Sequence, residues 1–144
     1  AAYKAASGDI GQISEVIERT REEDFAVLSG DDALTLPICA LGGTGVVSVA
    51  GNVEPERMVD LVDAAVEDDL DPAREIHYEL SPLFRHLFVE TNPIPVKAAM
   101  EIRGYGPGRL RSPLTDLEDE HYTEMERILA ELDAAAERER TEAV

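Results

Sequence analysis

Two hydrophobic periods divide this chain. In the first third, short apolar runs alternate with helical stripes; from Pro55 onward only the helical period persists. Residues 1–5, Ala-Ala-Tyr-Lys-Ala, read as the tail of a strand that stops at Ser7-Gly8-Asp9. Ile10, Ile13 and Ile17 then recur at helical spacing, with Val16 widening the stripe. Phe25-Ala26-Val27-Leu28 is too short for a helix and predicts a second strand. Ser29-Gly30-Asp31-Asp32 ends it with a turn that also caps the next helix, Leu34 to Leu41, which Gly42-Gly43 closes. Gly45-Val46-Val47-Ser48-Val49 predicts a third strand, apolar and β-branched like strands covered on both faces of a parallel sheet.

Past Pro55 the predicted elements are helices. Met58, Val62, Ala65 and Val66 line the first, and Ile76, Leu80, Leu83, Phe84 and Leu87 the second, which restarts at Asp71-Pro72 and carries Pro82 as an expected kink. Asn92-Pro93-Ile94-Pro95 is a break. Val96 to Arg103 is a short helix closed by Gly104, and a Gly/Pro-rich stretch, Tyr105 to Pro113, follows. A last amphipathic helix presents Met125, Ile128, Leu129 and Leu132, and the charged end, Glu137 to Val144, is expected to fray.

This βα rhythm predicts an α/β protein. The polar, glycine-containing breaks after Lys4, Leu28 and Val49 all fall at strand C-terminal ends, the face that carries active sites in β/α barrels. A doubly wound open sheet has the same rhythm. Three strands cannot close a barrel, which needs about eight. The chain is therefore either an open-sheet protein or the C-terminal part of a barrel. The second alternative accords with a chain that opens Ala-Ala-Tyr rather than with methionine.

Charge narrows the partners. The formal net charge of the 144 residues is −18, which disfavours nucleic acid by phosphate repulsion. Clusters such as Glu22-Glu23-Asp24 and Glu67-Asp68-Asp69 read as solvated surface that repels itself in dilute buffer. The expectation is adaptation to a salt-rich cytoplasm, with an acidic mesophilic protein as the alternative. No run of eighteen apolar residues is present, and no basic segment followed by an apolar stretch opens the chain.

Lys4 is the leading candidate for chemistry. Only one other lysine, Lys97, accompanies eleven arginines. A guanidinium stays protonated, whereas a partly desolvated lysine can lose its proton and attack a carbonyl. A snorkelling or ion-paired lysine at a strand end is the structural alternative. Cys39, alone and in the apolar Leu36-Pro37-Ile38-Cys39-Ala40-Leu41, reads as core. His77, His86 and His121 show no metal-ligand spacing with one another or with Cys39, so no metal site is expected and surface or interface positions are.

In order and spacing, residues 3–9 (Tyr-Lys-Ala-Ala-Ser-Gly-Asp), 28–32 (Leu-Ser-Gly-Asp-Asp), 41–49 (Leu-Gly-Gly-Thr-Gly-Val-Val-Ser-Val) and 92–97 (Asn-Pro-Ile-Pro-Val-Lys) resemble the C-terminal half of the dihydrodipicolinate synthases, among the pyruvate-dependent class I aldolases. The likeness fades after about Leu117. It implies the C-terminal part of a (β/α)8 TIM barrel followed by a helical extension, with residues 1–69 running from the end of strand six to helix eight and residues 70–144 forming the extension. It also implies a cytoplasmic homotetramer that condenses pyruvate with aspartate-4-semialdehyde, through a covalent imine and without a cofactor, metal, membrane or nucleic acid.

By the same resemblance Lys4 is the Schiff-base lysine, and Val47 and Gly30 lie at the pyruvate pocket. Ser29 and Asp31 match less well, and Asp31 reads equally as a helix cap. Lys97 reads as structural. The family's tyrosine relay and threonine pair fall on earlier strands, and Tyr3 would point away from Lys4 because strand side chains alternate. The isolated chain is accordingly expected to be inactive and, with an unpaired strand edge, not stably folded. Ala5 stands where many synthases carry glutamate. A 2-keto-3-deoxy sugar-acid aldolase, for which only Ser48 and Asn52 supply polar side chains beyond Val47, and a non-catalytic α/β module are the alternatives.

Overall fold

The computed structural model describes residues 1–142. Its elements are β1 (Ala2–Ala5), α1 (Ile10–Thr20), β2 (Ala26–Ser29), a 3-10 turn (Asp32–Leu34), α2 (Thr35–Ala40), β3 (Gly45–Val46), a second 3-10 turn (Ala50–Asn52), α3 (Pro55–Val66), α4 (Leu70–His86), α5 (Ile94–Ile102) and α6 (Asp119–Glu142). The chain divides into two compact units, Ala1–Tyr78 and Glu79–Val144, with the dividing point inside α4.

In the first unit the strands form one parallel sheet in the order β1-β2-β3. Register pairs Lys4 with Leu28, Ala5 with Ser29, Leu28 with Gly45 and Ser29 with Val46, so all three strands end level. Two-residue periodicity then sorts the faces. Ala5 and Val27 join Ile13, Ile17 and Ile38 in a core against which Tyr3, Val16, Phe25 and Leu34 pack. Each fully buried isoleucine there contributes about 1.5–3 kcal/mol of burial. Lys4, one residue out of phase, is exposed on the other face.

Local chemistry explains the helix starts. Asp9 caps α1 by accepting from Gly11 N at 2.9 Å and Gln12 N at 3.1 Å, two donors with no partner within the helix. Pro55 occupies the first turn of α3, where its missing N–H is not needed.

Several expectations change. Ile10, at the helix end, is 39% exposed, and on α3 Met58, Leu61 and Ala65 are buried whereas Val66 is exposed. The third strand is shorter than its apolar run: it stops at Val46. The chain then bends because the backbone N–H groups of Val49 and Ala50 turn toward the Asp32 carboxylate instead of continuing a ladder. Val47 is consequently 45% exposed rather than covered.

In the second unit Ile94, Ala98 and Leu117 form a core with Leu110, Leu114 and Tyr122. Helix α5 starts at Ile94, two residues earlier than its pattern predicts, because Pro95 fits the first turn. Gly104, at φ 75°, closes it in the left-handed conformation that a glycine adopts at little cost. Met125, Ile128, Leu129 and Leu132 of α6 are all buried. Residues 137–142 continue α6, and the expectation for residues 143 and 144 lies outside the described residues.

Candidate active site

The level strand ends of the first unit build a rim. Lys4 stands at the end of β1, Gly30 directly after β2 and Val47 directly after β3. Two backbone bonds bind these ends together: Gly30 N donates to Ala5 O at 2.7 Å, and Val47 N donates to Ser29 O at 2.7 Å. Across β2 the register sets Gly45 level with Lys4, and Val47 lies two residues farther along, so the two backbone positions are about 12 Å apart.

Gly30 meets Lys4 closely. A Cβ at this position would lie 2.8 Å from Ala6 Cβ, 2.9 Å from Ala5 O and 2.9 Å from Lys4 Cε. Gly30 is not among the positive-φ glycines, so space, not backbone conformation, requires it. The absence of a side chain lets the Lys4 arm lie over the end of β2.

Ser29 and Asp31 turn elsewhere. Ser29 is fully buried, its hydroxyl donating to Asp31 O at 2.6 Å and accepting from Asp31 N at 3.2 Å. The Asp31 carboxylate caps the following turn through Ala33 N at 3.0 Å. Tyr3 packs on the core, opposite Lys4.

Asp32 is the residue that sequence reasoning passed over. It is 2% exposed. One carboxylate oxygen accepts from the Ser48 hydroxyl, and the other from Val49 N at 3.1 Å and Ala50 N at 2.9 Å. A signal existed: one aspartate suffices to cap the turn, so the second in Asp31-Asp32 was surplus to that task.

Cys39 is buried, and burial pushes its thiol above the ordinary value despite a hydrogen bond with the Gly45 backbone, as befits an unreactive core residue. Lys97 is half-buried on α5 in the second unit.

The histidines are better organised than their spacing implied. His121 Nδ1 lies 2.7 Å from a Glu90 carboxylate oxygen, which also accepts from Glu118 N at 3.0 Å, and His86 Nε2 lies 2.7 Å from His121 O. The Glu90 hydrogen bond raises the His121 pKa and correspondingly lowers that of Glu90. Ligand atoms of Glu90, Glu118 and His121 lie within 4.8 Å of one another, a set that could hold a divalent cation. Spacing among the histidines could not reveal it: Glu118 and His121 lie three apart, but Glu90 comes from 28 residues before Glu118.

The first unit is also open at the sides. Beside β3, an edge strand, lies an apolar groove lined by Leu28, Val46, Met58, Val59 and Val62.

A parallel sheet whose strands alternate with helices defines an α/β protein, here with Lys4, Gly30 and Val47 at the C-terminal ends of its strands. The sequence profile of the Dihydrodipicolinate synthetase family matches residues 1–132, and the chain belongs to that family. A 4-hydroxy-tetrahydrodipicolinate synthase of Haloarcula marismortui is 64% identical over 132 residues, which are 92% of this chain and 43% of that protein. The crystal structure of dihydrodipicolinate synthase from Aquifex aeolicus superposes with a TM-score of 0.88 at 46% identity, over 92% of this chain and 45% of that one. A chloride-inhibited dihydrodipicolinate synthase from Acinetobacter baumannii, solved in complex with pyruvate, has a TM-score of 0.83 at 31% identity, over 90% of this chain and 44% of that one. The chain spans less than half the length of these relatives.

Proposed function

We propose that this chain is the C-terminal part of a (β/α)8-barrel Schiff-base lyase that condenses pyruvate with aspartate-4-semialdehyde to 4-hydroxy-tetrahydrodipicolinate, an early step of lysine and diaminopimelate synthesis. Lys4 is its nucleophile. The observation that carries the reading is the rim itself: a lysine at a strand end, against a glycine whose missing side chain leaves room for the lysine arm. Lys4 is exposed in this chain, and the desolvation that favours a neutral amine falls to the rest of the barrel. The open edge of β3 and its apolar groove support the same assignment, since a further strand laid there would cover both.

The chemistry follows from the amine. Neutral Lys4 attacks the ketone carbon of pyruvate, and loss of water leaves a protonated imine. The imine draws electrons from the neighbouring methyl group, which gives up a proton and becomes a nucleophilic enamine. The enamine carbon then bonds to the aldehyde carbon of the second substrate as its C=O opens and the oxygen takes a proton, which restores the imine. The semialdehyde's own amine displaces the Lys4 nitrogen as the ring closes. Gly30 and Val47 border the pyruvate position, and the covalent imine makes a separate cofactor unnecessary. The proton relay and the donors for the pyruvate carboxylate come from chain outside these residues, as in the family this one resembles. The isolated 144-residue chain is accordingly inactive.

The test is covalent trapping. In the full-length protein, pyruvate with borohydride should leave a stable adduct on Lys4, and a coupled assay should show turnover with aspartate-4-semialdehyde rather than with 2-keto-3-deoxygluconate. Absence of the adduct would remove the enzymatic reading and leave the non-catalytic α/β module. Assembly as a cytoplasmic homotetramer belongs to the same proposal, with mass by light scattering as its test.

A further inference from the structure

We propose that Asp32 is a positioning residue of the Lys4 site: its buried carboxylate locks the loop after β3 to the turn after β2 and so sets where Val47 stands. This rests on the reading of Lys4 as a Schiff-base lysine. Every residue from Val47 to Gly51 gives up a donor within this lock. Val47 N donates to Ser29 O at 2.7 Å, the Ser48 hydroxyl donates to Asp32, and Val49 N and Ala50 N donate to the second oxygen of Asp32 at 3.1 and 2.9 Å. Gly51 N donates to the Ser48 hydroxyl at 2.7 Å, so Ser48 joins the last donor to the carboxylate.

Three features make this a positioning device rather than an ordinary surface cap. Asp32 is 2% exposed, and a buried carboxylate is tolerated only when its oxygens are satisfied, which these three donors do. The bonds run between residues 16 to 18 apart in sequence, so they join two rim loops rather than finishing one helix. The span they hold begins at Ser48, immediately after Val47, and Val47 is tethered on its other side through Ser29 to the turn containing Gly30. The sheet register and the Gly30 N–Ala5 O bond fix Lys4 against Gly30, and the held loop sets where Val47 stands beside them. Asp32 acts through these neighbours; Asp31, one residue earlier, makes a local cap and has no such reach.

The experiment titrates pyruvate against borohydride trapping of Lys4 in the full-length protein, with melting recorded in parallel. Asp32→Ala should raise the pyruvate concentration for half-maximal trapping by about tenfold or more, because small displacements of a substrate-bordering group cost rate steeply. Asp32→Asn keeps a carbonyl oxygen for Val49 N and Ala50 N and should recover most of that loss, leaving a shift of about two- to threefold. If Asp32→Ala does not fold, Ser48→Ala decides: it removes only the hydroxyl link and should give about a threefold shift. A lowered melting temperature with unchanged half-saturation, in whichever of these variants folds, would reduce Asp32 to a structural role and overturn the proposal. An unaltered protein that is not trapped at Lys4 would instead refute the Schiff-base reading itself.

Discussion

Replacing Gly30 with alanine adds a single methyl group where three atoms already stand. The new Cβ would be 2.8 Å from Ala6 Cβ, 2.9 Å from Ala5 O and 2.9 Å from Lys4 Cε. Ordinary contact begins at about 3.5 Å, so each neighbour must yield by roughly 0.6 Å. Lys4 can swing its arm aside, but the Ala5 oxygen cannot move without dragging β1, because it accepts the 2.7 Å bond from Gly30 N. Overpacking costs about 1–3 kcal/mol and a weakened backbone hydrogen bond about 1 kcal/mol, giving about 2–4 kcal/mol in all. The full-length Gly30→Ala variant should therefore melt about 5–10 °C lower. It should also trap pyruvate on Lys4 about a hundredfold more slowly, since the displaced arm no longer lies over the strand end. Both are measurable on one preparation, by calorimetry and by mass after borohydride reduction. A variant that melts and traps like its parent would refute the packing argument; one that melts lower but traps normally would separate Gly30 from Lys4.

Lys4→Arg should abolish trapping and turnover while changing stability by less than about 0.5 kcal/mol, because the side chain is exposed and the charge is kept; continued synthesis would refute its role as nucleophile. With 31 acidic against 13 basic residues, the melting temperature of the protein should rise by several degrees between 0.1 M and molar KCl, as the Debye length falls from about 10 Å to about 3 Å; equal stability in both would discredit salt adaptation. The Glu90–His121 pair makes a pH prediction. Its histidine is raised above the ordinary 6.5, so that contribution is full below about 6.5 and disappears as pH climbs through the raised value. Its glutamate is lowered below the ordinary 4.5, so that contribution is full above about 4.5 and disappears as pH falls through the lowered value. Destabilisation by Glu90→Gln should peak between about pH 4.5 and 6.5 and shrink by pH 9; an equal difference at pH 5 and pH 9 would show that the charge pair is not the source.

Periodicity alone placed the strands and most of the helices, because burial of one face imposes a repeat of two or of about 3.6 on the side chains that form it. Ile13 and Ile17 on α1, Leu80, Leu83 and Leu87 of the long helical stripe, and Met125, Ile128, Leu129 and Leu132 on α6 were legible for that reason, and all are buried. So was the segregation of Tyr3 from Lys4, which alternation on a strand requires. The end of the third strand was not legible. Its β-branched run continues through Val49, yet the strand stops at Val46: Val47 N makes a last bond to Ser29 O, and the Val49 and Ala50 donors go to Asp32, a carboxylate from 17 and 18 residues earlier in the chain. The approach of Glu90 to Glu118 and His121 was hidden likewise: those two are three apart, but Glu90 comes from 28 residues before Glu118. Local repeats record which face of an element is covered. Which distant polar group will satisfy a given donor depends on how elements dock, and only the folded arrangement decides that.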